Sequence, residues 1–379
     1  MSMNYSICDD GEADPLEDDQ EYFPQWSWDR VRTWVSIRRA DDYSDEQIRE
    51  LAGHDVVMLE KMNGHLTHGC IERGSSQAAR RIKAINPRTV ILFYLNSMVH
   101  YGKYKANQHW NPEWAARDKK GELVKWVNGK YMSYNHTNLK FREWWIQRAL
   151  DAVSNEEIDG IFVDAICKTT QRFLPEGHAE AYFETANELR SRLPEGKLLI
   201  GNAIRAGATK DDNFSHLRAM DAALKGGRAI LFKAYPFHLD EAKFNNIRTL
   251  EERYAYLSNP KFIGFPLALF LMIVRPYAYF TYRSDVDANP AKLAVFDSNK
   301  FEAITRSLGR PIGDYKQVKR YVFTREFEHV RVRVNIQQRI GKIVVKGEGE
   351  GDGDSGDADD WESASAGSGD GASISHEEL

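Results

Sequence analysis

Cysteine is scarce in this 379-residue sequence. Cys8, Cys70 and Cys167 lie far apart and in no metal-ligand spacing, which argues against a disulfide scaffold or a zinc module and fits a reducing compartment. Long apolar runs are missing too. The longest, Phe265 to Val274, has ten residues, against the roughly 18 to 20 that a membrane-crossing helix needs. The N-terminus offers acids where a secretory leader needs a basic and then an apolar segment, so the sequence reads as cytosolic. Basic residues are absent from both ends. Residues 9–21 hold eight acids and residues 347–379 hold eleven, neither with a Lys or Arg, so 1–21 and 347–379 read as disordered, solvated tails. The 51 basic residues therefore face only 37 acids between 22 and 346, a net charge of +14 that can attract polyanions. No G-x-S-x-G, H-E-x-x-H or Walker loop occurs, and no glycine fingerprint follows the first strand-like run.

Present instead is an alternation of short apolar runs with helical patterns. Trp34-Val35-Ser36-Ile37 is followed by Ser44-Asp45-Glu46-Gln47, a capping box opening a helix, and then by Asp55 to Glu60. A helix carrying Ala78, Ala79, Ile82 and Ile85 stops at Asn86-Pro87, and Thr89 to Tyr94 follows as a third strand. Gly160 to Asp164, Lys197 to Asn202, Ala229 to Tyr235 and Tyr277 to Tyr282 complete seven runs, each almost wholly apolar, as in a parallel sheet buried on both faces. The expected fold is α/β: a TIM-type (β/α)8 barrel over 22–310 whose sixth strand is missing or degenerate. A small C-terminal antiparallel β appendage over 311–346 would be built from Tyr321–Phe327, Val330–Ile336 and Lys342–Val345. The long segment from Asn96 to Asn138 is rich in aromatics, Trp110 among them, and loops of that length in compact domains usually carry function.

In such a barrel chemistry sits at the C-terminal ends of the strands, so polar residues ending apolar runs are the candidates. Asp164 ends the fourth strand, where an ionised carboxylate is costly unless it opens into a polar cleft. Glu60 with Lys61 ends the second. Asn96 and Asn202 end the third and fifth and can donate to sugar hydroxyls, while Arg205 can meet an anionic group. Tyr94, Trp110 and Tyr235 supply ring faces on which sugars stack. Two carboxylates beside such rings suggest glycoside hydrolysis, in which one acid protonates the leaving oxygen and a second carboxylate attacks or activates water. Each candidate also has a structural reading as an N-cap, an internal ion pair or a core aromatic. His65 and His68, a lone pair in a Gly-bearing loop, make a poor metal site, and neither a metal nor another cofactor is expected. No RNA- or DNA-binding motif accompanies the positive charge.

Several segments together resemble a known family. They are Tyr22-Phe23-Pro24-Gln25-Trp26-Ser27-Trp28-Asp29, Leu59-Glu60-Lys61, Asn111-Pro112-Glu113-Trp114 with Arg117-Asp118, Arg142-Glu143-Trp144-Trp145, Asp159 to Asp164, and Tyr321 to His329. The combination is similar to the hypothetical glycosyl hydrolases with a TIM-barrel domain, over about residues 22–346. The resemblance implies a carbohydrate-active barrel with a carbohydrate substrate and Asp164 in the fourth-strand catalytic position. The sequence departs from that pattern between the fifth strand and Ala229, where an acid-bearing strand is expected. Ala203 to Arg228 holds only Asp211, Asp212 and Asp221 as carboxylates, and its best strand candidate is Asn213 to Leu217. The leading reading is a hydrolase of oligo- or polysaccharides with Asp164 as nucleophile or base and Glu60 as the best remaining acid or sugar-binding group. The alternative is a catalytically inactive glycan-binding barrel.

Overall fold

The computed structural model describes residues 23–347 except 25, 127–128, 166–173 and 208. The expected tails fall outside the described residues, save Gly347, as do Cys8 and Cys167. The chain is a mixed α/β protein. β1 (Trp34–Ile37), β2 (Val56–Leu59) and β3 (Val90–Asn96) are followed by a small hairpin of β4 (Lys125–Trp126) and β5 (Tyr131–Met132), then by β6 (Gly160–Asp164) and β7 (Leu198–Gly201). β8 (Ile204–Arg205), β9 (Ile230–Ala234) and β10 (Ala278–Tyr282) come next. A parallel sheet runs in the order β1-β2-β3-β6-β7, and a second has the order β10-β9-β8. Parallel bridges Thr33↔Phe280 and Arg38↔Asp287 tie the start and end of β1 to the β10 segment.

The strands are apolar throughout because both faces are covered: all seven residues of β3 and the first four of β6 are buried. Local signals set the helices between them. Ser44 and Gln47 close the expected capping box on Asp45–Ala52, and Asn138 accepts from the Lys140 and Phe141 amides to start Leu139–Val153. Among the described residues no single helix is long and apolar enough to cross a membrane. The apolar helix Pro260–Ile273 instead sits in a core with β9, β10 and the C-terminal sheet.

Two expectations need correction. Asn213–Leu217 is not a strand but the middle of the helix Lys210–Lys225. Thr209 and Asp212 form a capping box there, and Asn213, Leu217, Met220 and Leu224 are buried at helical spacing, which outweighs the weak strand character of the segment. Nor is the C-terminal sheet three-stranded. β12 (Val322–Glu326), β13 (Val330–Asn335) and β14 (Ile340–Val345) are joined by an edge strand, β11 (Lys316–Lys319), whose four residues are all exposed and so show no hydrophobic alternation. This sheet packs on Pro260–Ile273, where Gly264 and Gly341 meet backbone to backbone: a Cβ on Gly341 would stand 2.2 Å from the Gly264 carbonyl oxygen.

Among the described residues, the two-residue β8 is all the strand that lies between β7 and β9. β7 pairs with β6 as far as Gly201, the chain turns at Asn202 with φ of 56°, and β8 then pairs with β9. A single extended run thus changes partner midway. Asparagine is one of the few residues other than glycine that enters this left-handed region at modest cost.

Candidate active site

The polar ends of β3 and β6, with the turn after β7, converge on Asp164. Its Oδ2 accepts from the Tyr94 hydroxyl at 2.6 Å and from Asn96 Nδ2 at 3.1 Å. Its Oδ1 accepts from Asn202 Nδ2 at 3.1 Å and from the Ala165 amide at 2.7 Å. Four donors therefore fill both oxygens of one half-buried carboxylate. The donors are themselves held. Asn96 Oδ1 accepts from the Met98 and Val99 amides at 2.8 and 2.7 Å, which points Nδ2 toward Asp164, and Trp145 donates to the Asn96 carbonyl at 3.0 Å. Asn202 Oδ1 accepts from the Ala203 amide at 2.7 Å, so the residue that turns the strand also presents its amide to Asp164. Burial, then the charge of Asp164, pushes the Tyr94 phenol well above its ordinary value, so it stays a donor.

A second group forms around Glu60 at the end of β2. This buried carboxylate accepts from Ser36 Oγ at 3.3 Å and from Lys61 Nζ at 3.3 Å, with Arg38 at 3.9 Å. Arg283, just past β10, donates to the Ser36 carbonyl and hydroxyl at 2.7 and 2.6 Å and to the Tyr235 hydroxyl at 3.0 Å. Lys61 Nζ lies 5.0 Å from the Tyr94 ring centroid and 5.1 Å from that of Tyr101, and so links the two groups. The Tyr101 phenol is likewise raised, by burial and then by Asp164.

Of the residues singled out in the sequence, Asp164, Tyr94, Asn96 and Asn202 are brought into direct contact. Glu60, Lys61 and Tyr235 belong to the neighbouring network. Arg205 is exposed, its Cα in register with Lys233 across β8 and β9. Trp110 is elsewhere. It packs with His100, Trp114, Tyr134 and Trp144, and Trp144 lines a groove of about 850 Å³ with Phe93 and Arg148. Phe93 precedes Tyr94 on β3 and so points to the opposite face. The aromatics of the long segment therefore gather chiefly on that outer side, and the rings beside the carboxylates are Tyr94, Tyr101 and Tyr235. Sequence reasoning missed Ser36, Lys233 and Arg283. Arg283 follows the apolar run ending at Tyr282, so the rule that selected Asp164 would have found it. Ser36 and Lys233 sit inside apolar runs, where no such signal exists.

The three aspartates of Ala203–Arg228 are engaged away from this group. Asp212 caps its helix on Thr209, Asp221 pairs with Lys225 at 2.9 Å, and Asp211 accepts from the Tyr321 hydroxyl at 3.3 Å. Among the described residues no group of three or more His, Cys, Asp or Glu could hold a metal ion.

This α/β chain thus gathers the polar C-terminal residues of its parallel strands around carboxylates. The chain belongs to hypothetical glycosyl hydrolase family 15, whose model matches residues 83–227 and 207–331. No curated protein matches it. Among solved structures it is similar to an α-amylase from Geobacillus thermoleovorans complexed with acarbose, at a TM-score of 0.42 and 11% identity, covering 82% of this chain and 87% of that one. It is similar as well to a noncanonic maltogenic α-amylase from Thermotoga neapolitana, at a TM-score of 0.43 and 12% identity, covering 81% and 86%.

Proposed function

We propose that the parallel strands form one TIM-type (β/α) barrel of seven strands, and that its C-terminal mouth hydrolyses O-glycosyl bonds in an oligo- or polysaccharide. The closed reading is supported by the two-residue connection from β7 to β8, which pair with β6 and β9 respectively, and by the bridges between β1 and the β10 segment. The observation that carries the functional reading is Asp164: a carboxylate at a strand end, oriented by donors from β3, β6 and the turn after β7, beside a second carboxylate, Glu60. Asp164 serves as nucleophile or base toward the anomeric carbon. Asn96 and Asn202 hold it and donate to sugar hydroxyls, Tyr94 donates to its Oδ2, and Tyr235 gives a ring face. Glu60, surrounded by donors and cations, is set up to accept, which suits a sugar hydroxyl or an attacking water.

A second reading has a specific observation behind it. Among the described residues, Ala203 to Arg228 brings no carboxylate to Asp164, since all three of its aspartates are used elsewhere. The same cleft would then bind glycan without cleaving it. A combined binding and hydrolysis screen of the full chain over neutral and acidic oligosaccharides separates the two. Reducing ends released by the wild type and lost in Asp164→Asn support hydrolysis. Glycan binding without release, unchanged in Glu60→Gln, supports the binding protein and overturns the enzyme.

A further inference from the structure

A groove of about 850 Å³ opens on the outer side of β3, between the helices Ile71–Ile85 and Leu139–Val153. Its two ends are tied. At one, the Lys105 and Ala106 amides donate to Glu72 at 2.7 and 3.2 Å, and Trp144 Nε1 donates to the Ala106 carbonyl at 3.3 Å. At the other, Asn155 donates to Ser76, and Arg80 pairs with Glu157 at 3.3 Å. The volume falls within the roughly 300–1,000 Å³ of small-molecule sites, which are largely preformed. Phe93, Trp144, Ala152 and Ile158 give it apolar walls. It is separate from the mouth at Asp164, because Phe93 and Tyr94 alternate on β3.

One wall of the groove holds a buried charge. Arg148 lines it and is only 6% exposed. Among the described residues its guanidinium has no ion pair, and its one hydrogen bond runs from Nη1 to the Tyr134 hydroxyl at 3.2 Å. Nε is buried without a partner. The guanidinium carbon lies 4.6 Å from the Tyr104 ring centroid and 4.5 Å from that of Trp144. Those ring faces attract the charge but offer no lone pair to its N–H groups. Nor do the phenols supply a counter-charge, since burial raises both Tyr104 and Tyr134 above their ordinary values and keeps them neutral. Buried charges are normally paired, because desolvation is otherwise too costly. The groove as a whole is balanced. Apart from His109, its charged lining is Lys105, Lys140 and Arg148 against Glu72, Glu143 and Asp151, and Arg148 alone of these is buried. Glu143 is held by Arg192 at 2.6 Å, Glu72 by the two backbone amides, and Asp151 by Gln147 at 2.7 Å. What the groove lacks is therefore one negative charge at Arg148.

We propose that this groove binds a small organic acid, one carboxylate on an apolar body, with the carboxylate on Arg148 and the body along Phe93 and Ile158. The unused donors of Arg148, Nε and Nη2, form the edge with which arginine grips a planar carboxylate through two parallel bonds. A second negative charge on the ligand would meet Glu72, Glu143 and Asp151, which disfavours a phosphate dianion.

The test is calorimetric titration of the full chain with straight-chain, phenylalkanoic and indolylalkanoic acids, each beside its primary amide, and with inorganic phosphate. Acids from this panel should bind at one site and raise the melting temperature, while their amides and phosphate bind at least tenfold weaker. Ala152→Phe places a ring in the groove, leaves Arg148 in place and should abolish binding. Arg148→Lys keeps the charge, loses the two-pronged grip and should weaken binding at least tenfold. Asp164→Asn should bind the acids like wild type, since the mouth lies on the other face of β3. No acid bound, amides or phosphate bound as tightly as the acids, or either groove variant binding like wild type would overturn the proposal. Binding lost in Asp164→Asn would overturn it too, by putting the acid in the mouth. Should a groove variant fail to fold, the comparison of acid with amide on wild-type protein and the binding of Asp164→Asn decide.

Discussion

Replacing Asp164 by asparagine exchanges one acceptor oxygen for a two-proton donor inside a ring of donors. The Ala165 amide cannot turn, so the new carbonyl oxygen must stay at the Oδ1 position, where it also serves Asn202 Nδ2. The new NH2 group then faces Tyr94 and Asn96. The Tyr94 hydroxyl can rotate and accept. Asn96 cannot respond, because its own oxygen is fixed by the Met98 and Val99 amides. One donor is left against another donor, and an unsatisfied buried donor costs about 1–3 kcal/mol. Asn96→Asp alone sets two carboxylates against each other and should cost at least as much. The double variant Asp164→Asn with Asn96→Asp restores a donor and acceptor pair across the same gap. Urea unfolding followed by circular dichroism should therefore show each single variant destabilised and the double recovering about 1 kcal/mol or more relative to additivity. Glycan hydrolysis should stay absent in the double, since the carboxylate has moved to another strand. Additive losses would refute the geometry assigned to Asp164.

Burial holds His136 down to about 3 and His100 down to about 4, so both stay neutral in the folded chain while their unfolded forms take up protons below about 6.5. The stability they support is complete above that pH and is lost as pH falls toward the folded values. For His136, which bonds the Ser97 carbonyl and Thr185, the loss between pH 6.5 and 4.5 is roughly 2–3 kcal/mol, and denaturant midpoints should fall less steeply with acid in His136→Gln. An equally steep fall in that variant would contradict the assignment. At the sheet–helix contact, Gly341→Ala drives a methyl into the Gly264 carbonyl; overpacking of this kind costs about 1–3 kcal/mol, and a melting temperature equal to wild type would show that the two backbones are not in contact.

The sequence alone determined the alternation of elements and the grouping of Asp164, Asn96 and Asn202. A strand buried on both faces admits polar side chains only where it ends, and parallel strands bring their like ends to one side, so locating the ends locates the group. The helix start at Ser44 was equally local, a side-chain oxygen meeting an orphan amide of the first turn. Tertiary structure decided the rest. A step of one residue reverses the face of a strand, so whether the long segment packed beside Tyr94 or beside Phe93 could not be read from composition, and Trp110 and Trp114 went to Trp144, which lines a groove with Phe93. Arg205 stands in register with Lys233 because the chain turns at Asn202 and exchanges β6 for β9. Strand partners are long-range choices, fixed by which backbone groups are left to pair once the helices are packed, and no local pattern of residues encodes them.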